Sequence, residues 1–183
     1  MRLPHKLVAI DIETTGLFPE LGAEMIELGA VIVNEDLSMG ATYKSFIKPS
    51  TEYRDAKAMS INLISEETLA TAPALTDVMA ELWQFATANT GSTQPVLAAW
   101  GPTFDVVFIQ SVCRNAGIEL KYNFRHIDIK SIAWWELARR GTSSNGVTGY
   151  LKKMGLDFEG PKHEALSDIV NTCRLLQSFV PRV

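Results

Sequence analysis

Two carboxylates, Asp11 and Glu13, stand two residues apart at the end of the otherwise apolar run KLVAIDIE, residues 6–13. On an extended strand, residues two apart leave the same face, so the pair would lie side by side. Carboxylates buried that close repel unless a cation sits between them. Oxygen donors with no histidine or cysteine beside them suit Mg²⁺ or Mn²⁺ better than zinc. Two further acids are placed to join them: Asp105, in GPTFD, near the start of a predicted helix, and Asp168, in HEALSD, inside the final predicted helix. Singly, each has a plain structural reading, since an acid near a helix N-terminus is favourable with the macrodipole. Asp168, however, lies on the flank of the apolar stripe Ala165, Ile169, Cys173, Leu176 and Val180, which aims it toward a sheet.

The elements that must hold these acids follow from hydrophobic period. Residues 6–13, Met25–Val33 and 42–47 read as strands, and their short connections predict an antiparallel meander. Leu75, Val78, Met79, Leu82 and Phe85 fall at helical spacing, followed by a short buried strand at 95–99 and a helix over about 103–116. A fifth strand is expected at 126–129 and helices over 131–139, 147–154 and about 164–179. Strands first, then strands alternating with helices, imply an α/β fold: a mixed five-stranded sheet with helices on both faces. GTSSNG, residues 141–146, reads as a flexible connector.

The chain has 183 residues, 46% of them hydrophobic and 21% charged, values expected of a single compact domain over residues 1–183. No apolar run approaches the roughly 18 residues of a membrane span, and the first ten residues lack a signal-peptide core, so a cytoplasmic protein is expected. A net charge of −4 excludes a binder that works by covering phosphates with positive charge. The balance is uneven, with 6 basic against 13 acidic residues in 1–100 and 11 against 8 in 101–183. An anionic ligand would be better tolerated by the second half. Cys113 and Cys173 lie in apolar helical patterns and are expected as buried thiols.

DIETTG, GPTFD and HEALSD, in that order, resemble the three motifs of the DEDDh family of ribonuclease-H-like 3'-to-5' exonucleases. His163, five residues before Asp168, selects that branch over its sister, which carries tyrosine four residues before the aspartate, where this chain has Glu164. The resemblance implies a ribonuclease-H-like sheet and a site in which Asp11, Glu13, Asp105 and Asp168 hold two Mg²⁺ or Mn²⁺ ions, with Asp11 bridging them. It makes His163 the general base. Two such ions can activate a water, clamp a phosphate and stabilise a leaving oxygen. Four carboxylates would nearly neutralise them, which lets an acidic protein accept nucleic acid.

By the same resemblance Thr14, Thr15, Gly16 and Leu17 meet the 3'-terminal nucleotide, the hydroxyls and backbone at its 3'-OH and Leu17 at its base. Phe104 is a candidate for stacking or for core, and at least one of Trp134 and Trp135 is assigned to the core, because adjacent helical positions cannot share a face. Gly101 stands where many relatives have asparagine, and Met59-Ser60 where they often have histidine-glycine. The expected activity is metal-dependent 3'-to-5' hydrolysis releasing 5'-mononucleotides from single-stranded ends, with DNA modestly favoured. An exoribonuclease, or a proofreading or accessory module bound to a polymerase, is the alternative. The expected partner is a single-stranded DNA or RNA 3' end, with no membrane, and a polymerase partner or a homodimer is left open.

Overall fold

The apolar run that carries Asp11 and Glu13 forms β1 (Leu7–Thr14) at the centre of a five-stranded sheet, in a computed structural model that describes residues 2–179. β2 (Met25–Val33) pairs antiparallel with β1, and β3 (Met39–Phe46) antiparallel with β2, as the meander predicts. β4 (Val96–Ala99) lies parallel to the other side of β1, and β5 (Asn123–Asp128) parallel to β4. The order is β3-β2-β1-β4-β5, a mixed sheet as expected. Every residue of β2 is buried, which explains a sequence that is apolar but for Glu27.

Seven helices join these strands among the described residues: α1 (Ala56–Asn62), α2 (Glu66–Thr71), α3 (Leu75–Thr90), α4 (Pro102–Asn115), α5 (Ile129–Arg139), α6 (Gly146–Lys153) and α7 (Ala165–Ser178). Alternation along β1 divides the core in two. Val8, Ile10 and Ile12 pack with Val78, Met79 and Leu82 of α3 and Val106, Ile109 and Val112 of α4. Leu7 and Ala9 face the other way, onto Ile169, Cys173 and Leu176 of α7. Asp11 and Glu13 continue that second set, so the pleat alone carries them to the α7 face.

Some expectations need correction. α1 and α2 were not anticipated; they are seven and six residues long and bury only Asn62 and Leu69, so neither has an apolar stripe to read. Neither Trp134 nor Trp135 belongs to the core: they are 59% and 60% exposed. α5 buries only the narrow line Ile129, Ala133 and Leu137, and both tryptophans fall outside it. β5 begins three residues earlier than expected, as an edge strand exposing Phe124, Arg125 and His126. Both cysteines are free and buried, as expected. Val180, the last member of the predicted α7 stripe, lies outside the described residues.

Candidate active site

The site begins with a register. Asp11 pairs with Gly29 and Glu13 with Glu27 across β1 and β2, and a shift in pairing between Glu13 and Thr14 ends the regular ladder there. β4 runs parallel to β1 and stops at Ala99, so the turn into α4 opens at the same edge of the sheet. Gly101 makes that turn with φ 81°, in the left-handed region that glycine adopts without steric cost. Pro102 then starts α4, and Asp105 sits buried in its first turn.

Asp168 arrives from the opposite side, in the first turn of α7. His163 precedes the helix with φ 59°, an uncommon conformation for a residue with a side chain. Its backbone N–H donates to Asp168 Oδ2 at 3.1 Å, which ties the strained turn to the acid. Ligand-type atoms of Glu13, His163 and Asp168 all lie within 4.8 Å of one another. The histidine itself is exposed.

Electrostatics report the crowding. Burial, then the charges of Asp105, Asp168, Glu13 and Glu27, hold the Asp11 carboxyl well above the ordinary carboxylate range. Glu13 is pushed up to about 8 by burial and by Asp168, Glu27 and Asp105. Burial lifts Asp105 to about 7 against the pull of backbone hydrogen bonds, and it raises Asp168 despite His163 beside it. Four carboxyls from three elements therefore disfavour their own ionisation together, which favours a divalent cation in place of protons. The expectation of no histidine beside them is corrected by His163, whose ring lies among these donors.

The segment after β1 is built differently from its expected role. Thr14 Oγ1 donates to the Gly16 carbonyl at 2.8 Å, and Thr15 Oγ1 accepts from Glu24 N–H at 2.9 Å. Both threonines are buried, so their hydroxyls shape the turn and do not reach outward. At Gly16 a Cβ would sit 2.9 Å from the Tyr53 ring, so glycine is what lets the segment lie against Tyr53. Leu17 is 64% exposed at the tip, and Phe104, half out of the core, rests on Phe108 at 5.5 Å. Sequence reading missed Glu27, a buried carboxylate paired directly with Glu13 across the ladder, because Met25–Val33 was read only as a strand; the signal was an acid within an otherwise apolar strand.

Residues 8–176 match the RNase_T exonuclease family. The chain belongs to that family. This RNase_T exonuclease is 27% identical over 176 residues to a DNA polymerase III subunit epsilon-like protein of Rhodobacter capsulatus, which it matches over 95% of its own length and 23% of the relative's. Its fold superposes on the nuclease domain of 3'hExo, a DEDDh family member bound to rAMP, with TM-score 0.80 at 20% identity, covering 97% of this chain and 92% of that one. It also matches the zinc-bound form of an E. coli ExoI–ssDNA complex, with TM-score 0.76 at 16% identity, over 94% of this chain and 40% of that one. The α/β ribonuclease-H-like fold and the exonuclease class read from the three motifs agree with this family and these neighbours. No helix among the described residues is long and apolar enough to cross a membrane.

Proposed function

We propose that this RNase_T exonuclease removes 5'-mononucleotides from the 3' ends of single-stranded nucleic acid, with two Mg²⁺ or Mn²⁺ ions as cofactors and DNA modestly favoured over RNA. The observation that carries the reading is the convergence of Asp11, Glu13, Asp105 and Asp168, each lifted above the ordinary carboxylate range by burial and mostly by the other acids as well. These four would hold the ions. When bound, the cations would polarise the scissile phosphate, lower the pKa of the attacking water and offset charge on the leaving 3' oxygen.

His163, exposed beside Glu13 and Asp168, takes the proton of the attacking water. Its φ of 59° and its backbone bond to Asp168 hold the imidazole at the rim of the carboxylates. Leu17 and Phe104 present apolar surface to the terminal base, while Thr14, Thr15 and Gly16 fix the turn that holds Leu17 out. The polymerase III epsilon-like relative favours DNA and a polymerase partner; the rAMP in a structural neighbour is the observation that favours an exoribonuclease as the second reading.

The test is a gel of end-labelled single-stranded DNA, duplex DNA and RNA with Mg²⁺ or excess EDTA. Activity should require the metal and stop at a 3'-phosphate but not at a 5'-phosphate. Full activity in EDTA would overturn the metal reading, and cleavage of a circular single strand would overturn exonucleolytic action.

A further inference from the structure

We propose that Glu27 is a positioning residue that caps α7 from β2 and so sets where Asp168 meets Asp11 and Glu13. The first N–H groups of a helix have no partner within it, and a side chain at the N-cap usually supplies one. At α7 the N-cap residue is Glu164, whose side chain makes no capping hydrogen bond. The cap comes from across the fold instead. Glu27 Oε2 accepts from the backbone N–H of Ala165, the first residue of the helix, at 3.1 Å. A carboxylate at that end also meets the positive pole of the helix.

Glu27 is 1% exposed, and a charge that deeply buried must be paired and hydrogen-bonded to persist. Lys44 of β3 stands 2.9 Å from Glu27 Oε1 and also pairs with Glu164. Oε2 is thus occupied by the helix, while Oε1 has the lysine charge at 2.9 Å but no aligned hydrogen bond, so the helix contact is the one that holds the carboxylate in place.

A second contact fixes the same end. Gly29, two residues along β2 and on the same face as Glu27, lies so close to α7 that a Cβ would sit 2.5 Å from the Ala165 carbonyl carbon and the Leu166 nitrogen. Gly29 pairs with Asp11 and Glu27 with Glu13, so the two points that seat the helix lie on the rungs that carry the two strand ligands. Asp168 is in the first turn, its N–H bonded to the Glu164 carbonyl at 2.9 Å and its Oδ2 to His163 N–H. A displacement at Ala165 is therefore passed to Asp168 and His163 together.

The inference rests on the reading of Asp168 as a metal ligand, and its test separates the two. Glu27→Asp keeps the charge and shortens the reach; Glu27→Gln keeps the reach and an acceptor oxygen and removes the charge. Mn²⁺ alone is titrated calorimetrically into EDTA-stripped wild type and both variants, with kcat, KM, metal-free melting and Ala165 amide exchange measured beside it. Glu27→Asp should bind Mn²⁺ about 10- to 100-fold more weakly, with kcat lowered, KM for the strand unchanged and the Ala165 amide exchanging faster, while Glu27→Gln stays within about 3-fold of wild type. The reverse order would make Glu27 an electrostatic residue and overturn the cap. Lower melting temperatures with unchanged Mn²⁺ affinity would reduce it to a structural role, and a Gln variant that did not fold would overturn the inference too, since the cap needs only an acceptor. Should Glu27→Asp fail to fold, Glu27→Gln decides alone by keeping or losing affinity. A wild type that bound no Mn²⁺ would bring down the metal reading, and this inference with it.

Discussion

Asp11 faces the most neighbouring negative charge of the four acids, with Asp105, Asp168, Glu13 and Glu27 all raising it. Asp11→Asn keeps the side-chain size and removes the charge best placed to serve two cations. It should cost about 3 kcal/mol or more of transition-state stabilisation, over ~10²-fold in kcat, with the fold intact by circular dichroism. Near wild-type turnover in that variant would move the site elsewhere. His163→Ala should lower the single-turnover rate by about 10²-fold, the small end of the range for losing a general base where other groups also activate the water. Its Mn²⁺ affinity should be kept, and a calorimetric titration showing that affinity lost would make the histidine a ligand, a role its place beside Glu13 and Asp168 also allows. Leu17→Ala should weaken binding of the terminal nucleotide by roughly 1 to 3 kcal/mol, read as KM with kcat little changed. An unchanged KM would return Leu17 to the status of an exposed turn residue.

Among the elements, β2 and α7 meet backbone to backbone at Gly29. Gly29→Ala places a methyl into the α7 backbone, and overpacking of that kind costs about 1 to 3 kcal/mol, measurable as a lower urea midpoint at unchanged slope. A wild-type midpoint would mean that the helix end can yield. How far such elements were legible in the sequence depended on what each one buries. β1 and β2 bury nearly everything and stood out as apolar runs, to the residue in the case of β2. α3 has a five-residue buried stripe, and its period was visible. α1 and α2 bury one residue each and left no period to read. The tryptophans of α5 misled because a bulky aromatic is expected to seek the core, whereas here a small alanine, Ala133, occupies the buried line. Asp11, Glu13, Asp105, His163 and Asp168 were legible because each is a polar residue held at a fixed step in a motif. The threonine hydroxyls after β1 were not, since only the tertiary structure brings Glu24 to Thr15.

At the scale of the whole molecule, the four raised carboxyls link stability to pH and metal. A carboxyl with a raised folded-state pKa contributes stability that is fully present below its unfolded value and is lost as pH climbs through the folded one. With Asp105 at about 7 and Glu13 at about 8, the metal-free protein should melt progressively lower from about pH 5 to pH 8. Each kcal/mol lost corresponds to roughly 2–4 °C for a chain of this size. Saturating Mg²⁺ should reverse the trend, because cation binding displaces the same protons. Scanning calorimetry in EDTA and in Mg²⁺ at both pH values checks this, and a flat metal-free profile would contradict the crowding. The order of the chain carries one more consequence. Asp11 belongs to the first strand and Asp168 to α7, the last described element, so the four acids come together only after nearly all of the intervening chain has been made. While the nascent chain is still short of α7, the face of β1 and β2 that bears Asp11 and Glu13 has no lid, and a ribosome-bound fragment of this nuclease can hold neither the cap at Ala165 nor the fourth acid. The meeting of the four acids thus waits on the docking of α7.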